Sequence, residues 1–194
     1  MADWDERYRR GEHATPEPHT LLVRAMETLA AGRALDLACG AGRHALFLAE
    51  RGWKVIAVDA SRVAIETTLE RARKRGLTID ARVADLERGD FVIEPAAFDL
   101  ICDFYYLQRD LFPQVRAGLK PGAAFVASIH MISEDPSEDE GHNPAFLLKP
   151  GELRAEFQNW RIIHYHETSP HDTDAGEHHR RSAEIVAKKS ASDG

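Results

Sequence analysis

The sequence predicts an α/β protein: a doubly wound, mostly parallel sheet of seven strands, helices on both faces, and an antiparallel strand pair at the C-terminal end. Three observations predict it. Short apolar runs alternate with amphipathic helical stretches along most of the chain, the pattern of strand–helix–strand crossovers. Residues 34–60, ALDLACGAGRHALFLAERGWKVIAVDA, form one such unit of strand, glycine turn, helix, strand and acid. Finally, WRIIHYHET and RRSAEIVAKK read as two strands joined by a polar loop rather than by a helix.

Taken in order, residues 1–18 are polar, with Trp4 and Tyr8 four apart on a helical spacing. This segment reads either as a surface helix docking two rings or as a lid. Residues 19–31 carry Leu21, Leu22, Ala25, Met26 and Leu29 as one stripe of a helix that Gly32 ends. In the central unit, LDLACGAG runs a strand into a glycine turn, Ala45–Ala49 supply an apolar helix face, and Gly52 stops that helix. WKVIAVDA is apolar enough for a strand covered on both sides.

Ser61 suits the N-cap of a helix through Arg75. TIDARVADL follows as a third strand ending in Asp85 and Leu86. AAFDLICDFYYL is a fourth, with Phe98, Leu100, Cys102 and Phe104 expected on one face and Ala97, Ile101 and Asp103 on the other. A short helix near 109–117 leads through the turn LKPGA into FVASIHM. Residues 133–145 are acidic and rich in chain breakers, which suits a mobile loop. KPGELRAEFQNW gives a short helix with Leu153 and Phe157 on one face.

The length of 194 residues and 43% hydrophobic content suit one domain over 1–194 with its own core. The net charge of −7 and the lack of a long basic block argue against nucleic acid; the basic run Arg71, Arg73, Lys74 and Arg75 reads as a solvated helix face. No apolar run reaches membrane-spanning length, and the N-terminal segment is too charged for a signal peptide. Cys39 and Cys102 read as buried, reduced thiols. The expected setting is therefore cytoplasmic. Neither the acidic run Glu134, Asp135, Glu138, Asp139 and Glu140 nor the pair His164 and His166 has a recognised ligand spacing, so no metal is expected.

The chemistry centres on the glycine turn. Gly40 and Gly42 lack Cβ, so backbone amides there can approach a ligand. Asp59, at the end of the second strand, can accept two hydrogen bonds from a ribose diol, each contributing roughly 1.5–3 kcal/mol. GAGRHA also matches the dinucleotide fingerprint, so an NAD-linked oxidoreductase is an alternative. Asp36 tips the balance: a carboxylate ahead of the glycines repels a pyrophosphate and attracts an ammonium. S-adenosylmethionine has an α-amino group and a sulfonium but no phosphate.

Asp36, Leu37, Ala38, Cys39, Gly40, Ala41 and Gly42 resemble the first motif of the class I S-adenosylmethionine-dependent methyltransferases, with Ala38 in place of the usual first glycine. Alanine fits that position if its φ is negative. The resemblance implies a Rossmann-like fold and a cofactor site of Tyr8, Asp36, Ala38, Gly40, Gly42, Asp59, Ala60, Ser61, Asp85, Leu86, Asp103, Phe104 and Tyr105. Asp85 is the implied adenine contact, although an Asp capping the next turn fits as well. Tyr106 reads as packing.

The segment from HNPAFLLKPGEL to the last strand is similar to the tellurite-resistance and related small-substrate methyltransferases. That similarity implies His171 as a candidate base and Arg181 as a candidate anion anchor. Asp172 stands where that group has an arginine, which weighs against an oxyanion substrate. The implied activity is methyl transfer to a small-molecule thiol, metalloid or hydroxyl by a monomer or homodimer, leaving S-adenosylhomocysteine. A non-catalytic binding protein for the same cofactor is the other alternative.

Overall fold

The computed structural model describes residues 4–12, 15–133, 135, 139, 143–168 and 180–190. Its elements are α1 (Trp4–Arg9), α2 (Thr20–Met26), β1 (Arg33–Leu37), α3 (Arg43–Ala49), β2 (Lys54–Asp59), α4 (Arg62–Lys74), β3 (Asp80–Val83), β4 (Phe98–Phe104), α5 (Leu111–Gly118), β5 (Leu119–His130), α6 (Glu152–Glu156), β6 (Arg161–Glu167) and β7 (Ser182–Lys188). The seven strands form one sheet in the order β3-β2-β1-β4-β5-β7-β6. Strands β1 to β5 pair in parallel, and β7 runs antiparallel to both β5 and β6. The order reverses at β1 and β4, so the carboxyl ends of β1, β2 and β4 meet at the switch point where open α/β sheets bind ligands.

Two apolar clusters sandwich the sheet. One contains Leu35, Leu37, Ile56, Val58, Ile101 and Phe125 with Phe112, Phe157 and Trp160 beneath α5 and α6. The other holds Leu21, Leu22, Leu46, Leu48, Leu100, Cys102 and Val126 beneath α2 and α3. Leu153 and Phe157 are both fully buried, so the i, i+4 pair anchors α6 as its spacing predicts.

Three expectations are corrected. Phe98 does not share a face with Leu100, Cys102 and Phe104; it packs with Ile101, because the β4–β5 register shifts between Phe98 and Leu100. Such an irregularity breaks the strict two-residue alternation. Helix α2 stops at Met26 rather than reaching Gly32, since the Thr28 amide and hydroxyl both donate to the Ala25 carbonyl and end the ladder. Strand β3 stops at Val83 because the Ala84 amide donates to the Asp59 carbonyl and Asp85 then caps a tight turn over Leu86–Arg88.

Candidate functional site

The glycine turn between β1 and α3 is held from three sides. From β2, Asp59 accepts the Gly40 amide through Oδ2 and the Ser61 amide through Oδ1, both at 2.8 Å. From α4, the Thr68 hydroxyl donates to the Gly40 carbonyl at 3.1 Å, and Arg71 donates to the Ala41 carbonyl at 3.0 Å. From α1, the Tyr8 hydroxyl lies over Gly40, where a Cβ would meet it at 2.5 Å. Gly42 has φ +79°, and a Cβ there would stand 2.5 Å from Thr68. Gly42 is therefore required for space as well as for conformation, whereas at Gly40, with φ +54°, the nearest obstacle is the end of the Tyr8 side chain.

Ala38 departs from expectation. Its φ is +47°, not negative. A left-handed backbone is here imposed on alanine, at roughly 1–2 kcal/mol. Tyr105 is likewise left-handed, with φ +66°. Its amide donates to the Ser128 carbonyl at 2.7 Å, and its ring stacks on His130 with centroids 4.8 Å apart.

Beneath the turn lie two buried acids. Asp36 is 1% exposed, and neither of its oxygens has a hydrogen-bond partner among the described residues. Burial pushes its pKa up to about 7; the Ala45 amide, short of full hydrogen-bond geometry, and the Arg43 guanidinium only partly oppose this. Asp103, on β4 opposite Leu37, is also buried, and its Oδ1 has no hydrogen-bond partner among the described residues. Its pKa stands well above the carboxylate range, through burial first and the charge of Asp36 second. The pKa of Asp59 is raised too, by burial, with its two amide donors opposing. Orphaned carboxylate oxygens in a dry site are costly unless a cation or donor arrives.

The structure thus gathers Tyr8, Asp36, Ala38, Gly40, Gly42, Asp59 and Ser61 around one turn, with Asp103, Phe104 and Tyr105 at the adjacent end of β4. Ala60 is exposed between Asp59 and Ser61. Asp85 takes the capping role: its Oδ1 accepts the Glu87 amide at 3.0 Å and its Oδ2 meets Arg88 at 3.2 Å, while Leu86 is buried. Tyr106 packs against the core and donates to Gln108. The Arg181 carbonyl accepts the Met131 amide, which places Arg181 beside the end of β5. His171 lies outside the described residues, as do most acids of the 133–145 run. Asp139 is described: it accepts the Ser133 amide and pairs with Arg180 at 2.7 Å. Among the described residues no group of three or more potential ligands could hold a metal ion, and no helix is long and apolar enough to cross a membrane.

Two features escaped sequence reasoning. Ser61 has a second duty: besides accepting the Ala64 amide, its hydroxyl donates to Asp5 at 2.6 Å, and this ties α1 to the start of α4. In addition, His44 is buried, with its pKa well below 6.5 through burial, and its Nε2 accepts the His19 amide at 3.2 Å. No local pattern announces that contact, which spans 25 residues.

Comparison with known proteins places this geometry. Residues 3–185 match the family model for the tellurite resistance protein TehB. The chain belongs to the TehB family. It is 26% identical over 171 residues to the "Probable S-adenosyl-L-methionine-dependent methyltransferase TehB" of Haemophilus influenzae, covering 84% of this chain and 57% of that protein. It is 29% identical over 181 residues to "Hemagglutinin 1" of Eikenella corrodens, covering 87% and 57% respectively. The chain therefore spans a little over half the length of these curated relatives. The crystal structure of TehB from Haemophilus influenzae superposes with a TM-score of 0.76 at 22% identity, covering 95% of this chain and 67% of that one. The shared fold is the Rossmann-like methyltransferase sheet, with its antiparallel C-terminal pair.

Proposed function

We propose that this TehB-family chain is an S-adenosylmethionine-dependent methyltransferase that acts on a small-molecule acceptor. The observation that carries the reading is Asp36: a buried carboxyl whose two oxygens have no hydrogen-bond partner among the described residues, below a turn whose glycines admit close approach. An ammonium group satisfies such an acid, whereas a pyrophosphate would be repelled by it. This favours S-adenosylmethionine over NAD, as does the antiparallel β7.

In this reading Asp36 receives the amino group, Gly40 and Gly42 line the close approach, and Asp59 takes the ribose diol with lone pairs left by its two amide donors. Tyr8 covers the turn, Ala60, Ser61, Asp85 and Leu86 flank the adenine side, and Asp103, Phe104 and Tyr105 border the methionine end. When bound, the cofactor supplies an electrophilic methyl group on a sulfonium. The protein's task is then to align a nucleophile and exclude water, and orientation alone can provide up to about 7–11 kcal/mol. Arg181, beside the end of β5, is one proposed acceptor-side residue, and His171, from the sequence, is the other. Calorimetric titration with S-adenosylhomocysteine and, separately, NADH tests the cofactor class. Binding of the former alone is expected; binding of NADH alone overturns the reading.

A further inference from the structure

Beyond Tyr105 the same sheet face carries a polar cluster that the cofactor reading does not use. Phe104, Ser128, Glu184 and His166 occupy matching register positions on β4, β5, β7 and β6, so they share one face of the sheet. His164, two residues before His166, lies on that face as well. His19, which precedes α2, closes over it: its ring lies 5.1 Å from Phe104 and 5.9 Å from Tyr105.

Glu184 sits between two imidazoles. Its Oε1 is 3.7 Å from His19 Nε2, and its Oε2 is 3.3 Å from His164 Nε2. The tautomer of His19 follows from its other nitrogen. Nδ1 accepts the Leu21 amide at 3.1 Å, so a neutral His19 carries its proton on Nε2, facing Glu184. His19 therefore presents an N–H toward the carboxylate, at 3.7 Å and beyond hydrogen-bond distance, and is itself unable to act as a base. Opposite Glu184, the Ser128 hydroxyl is buried to 1% exposure and has no hydrogen-bond partner among the described residues. The hydroxyl is therefore a second polar group standing beside that carboxylate on the sheet.

We propose that Glu184 is the catalytic carboxylate that takes the proton from the methyl acceptor. This makes the acceptor class a proton-bearing nucleophile, such as a thiol, phenol or ammonium, rather than an oxyanion. The proposal rests on the methyltransferase reading. In the step, the acceptor's X–H bond breaks and its proton goes to Glu184. The pair left on X forms the bond to the methyl carbon, whose carbon–sulfur pair stays on sulfur. His164, with 39% of its side chain exposed, offers that proton a route to solvent. The other described acids near the turn are less suited. Both oxygens of Asp59 hold amides, Asp36 is given to the amino group of the methyl donor, and Asp103 is buried at 3% exposure. An anion at this position also repels oxyanions, in keeping with Asp172 in the sequence.

Glu184→Gln, which preserves shape, is the test. Transfer from methyl-labelled S-adenosylmethionine is measured with 2-mercaptoethanol, phenol, benzylamine and sodium selenite as probes. Nitrogen NMR of the His19 and His164 rings is recorded in the S-adenosylhomocysteine complex. Expected results are a loss of about a hundredfold or more with whichever proton-bearing probes react and S-adenosylhomocysteine affinity within about twofold of wild type. The Nε2 resonances of both rings should also move. Equal turnover by the two proteins on a proton-bearing probe, or selenite as the preferred acceptor, overturns the proposal. If no probe reacts, the ring nitrogens decide: unmoved Nε2 resonances overturn it. Failure of wild type to bind S-adenosylhomocysteine instead defeats the methyltransferase reading beneath it.

Discussion

Oδ2 of Asp59 accepts the Gly40 amide at 2.8 Å, so the acid that ends β2 also fixes the turn that ends β1. Ligand binding and turn geometry are thereby joined in one side chain. Asp59→Ala leaves two buried amides without an acceptor and should cost about 1–3 kcal/mol of stability. It should also weaken S-adenosylhomocysteine binding tenfold to a thousandfold. Asp59→Asn keeps one acceptor and should fall between the two. Thermal denaturation with and without ligand separates the effects.

Ala38 carries a backbone conformation that suits glycine. Ala38→Gly should remove about 1–2 kcal/mol of strain and return about 0.5–1 kcal/mol as unfolded-chain entropy. The net gain should raise Tm by roughly 1–4 °C, as read by differential scanning calorimetry. An unchanged Tm would show that the strain only equals the entropy returned, and a lower Tm that it is smaller still.

Gly42 is the converse case. Gly42→Ala combines a positive φ with a clash on Thr68 and should destabilise by about 1–3 kcal/mol. Adding Thr68→Ala should recover only part of that, since the conformational cost remains and the β-carbon of residue 68 is itself close. Denaturant unfolding of the two variants tests the division.

The buried ionisable groups make opposite contributions to pH dependence. The folded pKa of Asp36, about 7, lies above its ordinary 3.8, so its stabilising effect is full below about 3.8 and is lost as pH rises toward 7. Asp103 acts in the same direction. The pKa of His44 is depressed below 6.5, so its contribution is present above that value and is lost as pH falls. Relative to wild type, Asp36→Asn should gain stability as pH rises from 4 to 7, and His44→Gln should lose it. Urea unfolding across that range reads both slopes.

How much of this was legible in the sequence follows the range of each interaction. Gly40, Gly42 and Asp59 lie within one strand–helix–strand unit and Ser61 follows it directly; the backbone demands there are local, and these residues could be read from spacing. The sign of φ at Ala38 could not, because the turn is imposed by Asp59 and α4 rather than by residue 38. The reversed face of Phe98 depends on pairing with β5, and the early end of α2 on one threonine. The His19, His44 and Glu184 contacts join α2, α3 and β7, segments whose proximity only the folded sheet creates. Glu184, within an alternating strand, gave no local signal for chemistry.

The central claim is that buried Asp36 receives the amino group of the methyl donor. The most direct measurement compares the affinities of S-adenosylhomocysteine and 5′-methylthioadenosine, which lacks the amino acid portion, for wild type and Asp36→Asn. If Asp36 holds the ammonium, wild type prefers S-adenosylhomocysteine by roughly tenfold to a hundredfold more than the variant does, the worth of one charge-assisted contact. An equal preference in the two proteins would contradict the account.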